Sequence, residues 1–252
     1  MQERYEFARS LLQEAADYLK IRLDEELIIE EKSSQTDLVT HLDKAVQDFM
    51  VQKIIANYPN DHIIGEESKE HPDMRTGSVW VIDPIDGTTN FIVQKTDFTI
   101  MLAYVEDGRG QFGCIYDVMA GKLYYGGPAF GAFVNGHPLP KASYPPLSKS
   151  LLAANSTLLE TNYRGLADLG RACLGTRSYG SAGISASYVL SGRLVGYVSY
   201  IYPWDYMASL VIGESLGFVV RTLDGQEPDY KSRQYIMMVP KDKLDEIQGY
   251  IR

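Results

Sequence analysis

Trp80-Val81-Ile82-Asp83-Pro84-Ile85-Asp86-Gly87-Thr88-Thr89-Asn90-Phe91 is the stretch on which both the fold and the chemistry turn. Val79–Ile82 is apolar and β-branched, the pattern of a buried strand. That strand delivers two carboxylates, Asp83 and Asp86, three residues apart. Pro84 between them fixes φ and removes a backbone donor. Gly87 permits a tight turn or the close approach of a ligand. Thr88, Thr89 and Asn90 suit the opening of a helix, whose first N–H groups have no partner inside it. Hard cations such as Mg²⁺ take carboxylate and carbonyl oxygens and accept substrate phosphate as a further ligand. A helix N-terminus attracts phosphate. A metal site and an anion site are therefore expected within six residues of each other.

Two helices are expected before this strand. Phe7, Leu11, Ala15, Tyr18 and Arg22 recur at three- and four-residue steps, widened by Leu12 and Leu19. Ser33-Ser34-Gln35 marks a loop. Leu42, Ala45, Val46, Phe49, Met50 and Ile54 restore helical spacing, with Thr40 as N-cap and Tyr58-Pro59-Asn60 as the stop. After it, Phe98–Val105, Phe112–Tyr116, Lys122–Tyr125 and Ala132–Val134 alternate with glycine-bearing turns and predict an antiparallel meander. Segment 141–150 is rich in proline and serine and marks a domain junction. Beyond it strand and helix alternate: strands at Leu151–Ala154, Val195–Tyr200 and Phe218–Val220, helices at Ala182–Leu190, Tyr206–Leu216 and Asp242–Arg252. The division is an N-terminal α+β domain over 1–145 bearing most metal ligands, and a C-terminal α/β domain over 146–252 completing the site.

Composition narrows the function classes. Lysine plus arginine total 24 against 33 aspartate plus glutamate, a net charge of −9. Such a chain has no summed positive field for a phosphate backbone, which excludes nucleic-acid binding as its main role. No apolar run is long enough to cross a bilayer, and no secretory leader is visible. Cys114 and Cys173 form no CxxC pair and read as separate buried thiols, so a cytoplasmic setting is expected. The four histidines read as structural or surface residues. Gly126–Gly131 lacks nucleotide-loop spacing and reads as a hairpin.

Asp83 and Asp86 taken alone could merely close a strand with an Asx turn. Further acids at element ends weigh against that: Gly65-Glu66-Glu67-Ser68 after Ile63-Ile64, Trp204-Asp205 after Pro203, and Asp43 just past Thr40. Clustered carboxylates repel one another unless a cation neutralises them. In their order and spacing these motifs, with Lys32-Ser33-Ser34 and Asp37-Leu38-Val39-Thr40, resemble the inositol monophosphatase family. The resemblance implies a layered αβαβα sandwich of the inositol monophosphatase/fructose-1,6-bisphosphatase type. It also implies a Mg²⁺-dependent, lithium-sensitive phosphomonoesterase, a homodimer, acting on a small phosphorylated alcohol such as inositol 1-phosphate.

By that resemblance Glu66, Asp83, the Ile85 carbonyl, Asp86 and Asp205 hold two Mg²⁺ ions, and Glu67 reaches a third through water. Thr88, paired with Asp43, and Glu66 orient and deprotonate the attacking water. The N–H groups of Gly87 and Thr88 bind phosphate, while Asp86, Asp205 and Gly180-Ser181-Ala182 contact the substrate. One departure stands out. Relatives that hydrolyse inositol phosphate commonly carry a glutamate just before Trp-Asp, where this chain has Val198 and Ser199. Fructose 1,6-bisphosphate and the 2′-phosphate of NADP are therefore alternative substrates. An enzyme forming an aspartyl phosphate typically uses Asp-x-Asp, which the spacing of Asp83 and Asp86 does not match. A non-catalytic regulatory protein on the same fold is the alternative of another class.

Overall fold

The computed structural model describes residues 1–32, 38–69 and 71–252. Helix α1 (Gln2–Lys20) is followed by a short antiparallel pair, β1 (Ile29–Glu31) and β2 (Leu38–Thr40), and by α2 (His41–Asn57). Strand β3 (His62–Gly65) leads to β4 (Ser78–Asp86), the one-and-a-half-turn to two-turn helix α3 (Thr88–Gln94), and the meander β5 (Thr99–Glu106), β6 (Arg109–Asp117), β7 (Lys122–Gly127), β8 (Gly131–Val134) and β9 (His137–Pro138). These seven strands form one sheet in chain order, with β3 parallel to β4 and every later pair antiparallel.

Past an irregular stretch over 139–146, in which the expected domain boundary falls, come β10 (Leu151–Ala154), α4 (Ser156–Glu160), α5 (Leu166–Ala172), β11 (Gly175–Arg177), α6 (Ala182–Leu190), β12 (Gly196–Ile201), α7 (Pro203–Glu214), β13 (Phe218–Thr222), β14 (Gln234–Pro240) and α8 (Leu244–Gln248). The second sheet runs β11-β10-β12-β14-β13, parallel at β11-β10-β12 and antiparallel through β14.

Burial fixes the layering. On β4, Trp80 and Ile82 point into a core shared with Leu11, Leu12 and Leu19 of α1 and with Val46, Met50 and Ile54 of α2. Val79 and Val81 point the other way, into a core with Val189 and Leu190 of α6, Met207 and Val211 of α7, and Phe218 and Met238 of the second sheet. A strand covered on both faces reads as a continuous apolar run, as this one does. On the far side of the second sheet Leu158, Leu166, Leu169 and Ile247 cover Leu152, Val198 and Met237. The result is helix, sheet, helix, sheet, helix, the expected αβαβα sandwich. Its middle helices, α6 and α7, carry residues of the site.

Several boundaries differ from the sequence reading. Strand β4 does not stop at Ile82 but continues through Pro84 to Asp86. Helix α7 begins at Pro203, a first-turn position that needs no N–H donor. The expected closing helix shrinks to Leu244–Gln248 behind a 3₁₀ turn. Strand β14 was not expected. It sits between β12 and β13, although Tyr235, Ile236 and Val239 give it an aromatic and β-branched run of the kind strands favour.

The close approach of α7 to the first sheet depends on Gly113 of β6. A Cβ there would lie 2.3 Å from the Ala208 carbonyl oxygen, and backbone cannot swing aside. Gly113→Ala is expected to lower stability by about 1–3 kcal/mol, read by urea unfolding. An unchanged midpoint would show that α7 is not seated against β6.

Candidate active site

The acids converge because β4 is irregular where it carries them. Asp83 pairs with Met101 and Asp86 with Thr99, so Pro84 and Ile85 lie opposite the single residue Ile100. In a regular strand, residues three apart point to opposite faces. The bulge adds one residue and resets that parity, so both carboxylates turn to one side. Asp205 arrives from the first turn of α7, where its Oδ2 accepts a hydrogen bond from the Tyr202 N–H (2.7 Å). Carboxylate oxygens of Asp83, Asp86 and Asp205 lie within 4.8 Å of one another.

These three acids differ in how they are satisfied. Asp86 accepts from the N–H groups of Ala182 and Gly183 at the start of α6 (2.8 Å each), from the Thr99 hydroxyl (2.8 Å) and from the Ser181 hydroxyl. Asp83 is buried, yet neither carboxylate oxygen has a hydrogen-bond partner among the described residues. An orphaned buried carboxylate is costly unless something else neutralises it. Burial first, then the charges of Glu66, Asp86 and Asp205, hold the Asp83 carboxyl well above its ordinary range. Asp205 is raised in the same way. Three hard-oxygen ligands with one left bare are a donor set that fits Mg²⁺.

Glu66 and Glu67 follow β3 directly. Gln47 of α2 braces them, its Oε1 accepting from the Glu67 N–H (2.9 Å) and its Nε2 donating to Ser68 Oγ (3.3 Å). Burial pushes Glu66 up to about 7, Lys32 opposes this, and Glu67 and Asp43 add to it. Lys32 Nζ donates to Glu66 Oε1 (2.8 Å) and to Glu67. Although burial works against it, these carboxylates keep Lys32 protonated.

On the other side Asp43 is fixed by a capping box: its Oδ2 accepts from the Thr40 N–H (2.8 Å) and hydroxyl (2.6 Å). Its Oδ1 lies 3.1 Å from the Thr88 hydroxyl, which is also 3.1 Å from the Ile85 carbonyl. The Thr88 proton can serve only one of these acceptors at a time, and either way the hydroxyl oxygen keeps lone pairs with which to accept. Gly87 caps α3 with φ +88°, a left-handed conformation that glycine adopts without strain.

Ser33, Ser34, Gln35 and Asp37 lie outside the described residues. Gly180-Ser181-Ala182, expected at the substrate, is turned onto Asp86 through the Ser181 hydroxyl and the Ala182 N–H. The tyrosine cluster divides. Tyr206 is buried, while Tyr200 and Tyr202 are exposed and stack on Tyr235 and Trp204, with ring centroids 4.4 and 4.6 Å apart. His71 stands beside the site with Nε2 3.2 Å from the Gly65 carbonyl oxygen, a structural contact. Cys114 and Cys173 are free and buried. Sequence reasoning missed Gln47, Thr99 and the tethering role of Asn90, whose amide donates to the Tyr179 (2.7 Å) and Asp97 (2.9 Å) carbonyls. Thr99 and Gln47 sit inside an apolar strand and a helix, where nothing local signals a partner far along the chain.

Hard-oxygen ligands gathered beside a helix opening are the equipment that a phosphoric monoester hydrolase uses. Residues 1–250 match the model of the inositol monophosphatase family. The chain is 36% identical over 227 residues to inositol-1-monophosphatase of Bacillus subtilis, covering 88% of this chain and 86% of the relative. It is 29% identical over 235 residues to fructose-1,6-bisphosphatase/inositol-1-monophosphatase of Thermotoga maritima, covering 93% and 90%. A solved IMPase/NADP phosphatase complexed with Mg²⁺ and phosphate superimposes with a TM-score of 0.91 at 26% identity, covering 99% of this chain and 95% of that one. The chain belongs to the inositol monophosphatase family. No helix among the described residues is long and apolar enough to cross a membrane.

The raised carboxyls have a thermodynamic consequence. A folded acid whose pKa lies above its unfolded value binds more protons than the unfolded chain, so its contribution to stability falls as pH rises. For Glu66 that loss runs from its ordinary 4.5 through about 7. Mg²⁺ competes with those protons, so it is expected to raise the melting temperature more at about pH 8 than at about pH 5.5. Calorimetry with Mg²⁺ and with chelator at both pH values measures this, and equal increments would contradict it.

Proposed function

We propose that this protein is a Mg²⁺-dependent phosphomonoesterase that cleaves a small phosphorylated alcohol by direct attack of water, with inositol 1-phosphate as the reference substrate. The observation that carries the reading is the bare, buried Asp83 carboxylate within 4.8 Å of oxygens on Asp86 and Asp205. Glu66, Asp83, the Ile85 carbonyl, Asp86 and Asp205 would hold two Mg²⁺ ions, with Glu67 reaching a third through water. Bound Mg²⁺ supplies charge neutralisation at the phosphoryl group and an acidified water.

The chain's own residues do the positioning. With its proton donated to Asp43 or Ile85, the Thr88 hydroxyl accepts from the attacking water and aims its oxygen. Asp43 takes up the proton relayed through Thr88, and Glu66 would be the second base. The Gly87 and Thr88 N–H groups receive a phosphate oxygen. Asp86 is locked by its four donors, so it keeps one geometry through turnover. Asp86, Asp205 and the 180–182 turn border the alcohol side. Positioning and electrostatics of this kind carry most of phosphoryl transfer.

Hydrolysis of fructose 1,6-bisphosphate or of the NADP 2′-phosphate is favoured as a second reading by one feature: residues 196–203 offer no carboxylate to bond sugar hydroxyls. A purely regulatory role fits poorly with an uncompensated buried acid, which burdens a protein that has no use for a cation. Two free buried thiols support a reducing, cytoplasmic setting.

Asp83→Asn is expected to lower kcat by on the order of 10³ and to abolish the Mg²⁺-dependent rise in melting temperature. Thr88→Val is expected to lower kcat about 10²–10⁴-fold with that rise retained. Full activity in Asp83→Asn would overturn the assignment. Lithium inhibition of turnover and dimer formation belong to the same proposal. Titration with LiCl and sedimentation velocity test them, and full activity at high lithium or a monomer at micromolar concentration would count against them.

A further inference from the structure

We propose that Arg233 is a specificity-determining residue that recognises a second phosphoryl group on the leaving alcohol. The inference rests on the phosphatase reading above and names the substrate class of that same site.

A cavity of about 560 Å³ opens beside the acid cluster, lined by Lys32, Glu66, Trp204, Asp205, Tyr202 and Arg233, among others. Arg233 therefore shares a wall with two of the acids expected to hold metal. Its side chain is held in place: Nε donates to the Tyr200 carbonyl (3.1 Å), and the guanidinium carbon lies 4.6 Å from the Tyr200 ring and 5.6 Å from the Tyr202 ring. Tyr202 is in turn stacked on Trp204, with 13° between the rings, and Tyr200 on Tyr235. Much of the ordering entropy of a long side chain is thus already lost before a ligand arrives.

The two cations of the cavity differ. Lys32 is engaged by Glu66 and Glu67. Among the described residues no carboxylate pairs with Arg233, and the Nε contact leaves both terminal amino groups free to bind. The nearby end of β12 offers Val198, Ser199 and Ile201, none of them anionic. A leaving group bearing only hydroxyls would meet aromatic faces and a cation on this wall. A leaving group bearing a second phosphoryl would meet a planar, permanently charged fork that matches phosphate oxygens two at a time.

The test compares kcat/KM of the full chain with Mg²⁺ on fructose 1,6-bisphosphate, NADP and inositol 1-phosphate, in the wild type, Arg233→Gln and Arg233→Lys. In Arg233→Gln the ratio of either substrate bearing a second phosphoryl group to inositol 1-phosphate is expected to fall about tenfold or more, mainly through KM. Arg233→Lys is expected to retain part of the preference. A fall confined to the sugar bisphosphate or to the dinucleotide supports the proposal and identifies the source of the second phosphoryl group. Ratios unchanged in Arg233→Gln, or equal losses on all three substrates, would overturn it while leaving the phosphatase reading intact. Absence of Mg²⁺-dependent release from every ester in the wild type would instead overturn the phosphatase reading beneath it.

Discussion

Buried negative charge that the polypeptide itself does not neutralise is the constraint around which this structure is organised. Among the described residues Asp83 has no donor on either oxygen, and Glu66, Asp86 and Asp205 add repulsion to the cost of burial. Folding must overcome that cost with apolar burial elsewhere. The sandwich supplies it on both faces of each sheet, so every layer except the two outer ones is covered on both sides. The acids are held together by a scaffold that stays folded despite them, and a cation is the natural relief.

How the acids meet is a matter of strand parity and helix ends. Asp83 and Asp86 share one side of β4 only because Pro84 and Ile85 occupy a bulge opposite Ile100. Asp205 reaches them because α7 lies between the two sheets, where Gly113 lets it approach β6. Asp43 joins from the first turn of α2, and Glu66 from the residue just past β3. Five acids on four elements are each placed by an element terminus or an irregularity rather than by regular structure.

Division of labour follows from satisfaction. Asp86 has four donors and is a fixed point. Asp83 has none and is free to bind. Thr88 has its proton engaged by Asp43 or the Ile85 carbonyl and its oxygen left to accept. The cavity wall carries both signs: Glu66 and Asp205 line it together with Lys32, Arg233 and stacked aromatics.

Local chemistry is legible in the chain as written. The buried run before Asp83, the αL position at Gly87, the cap at Thr40 and the hairpins of the meander are each decided by neighbours a few residues away, where dihedral preference and side-chain period act directly. Long-range pairing has no such local trace. That Ser181 and Thr99 bind Asp86, that Gln47 braces Glu67, that β14 enters between β12 and β13, and that Arg233 lines one cavity with Glu66 and Asp205 depend on how the layers stack. Only tertiary structure decided those, because hydrogen bonds between residues tens of positions apart form once packing has brought them within about 3 Å of each other.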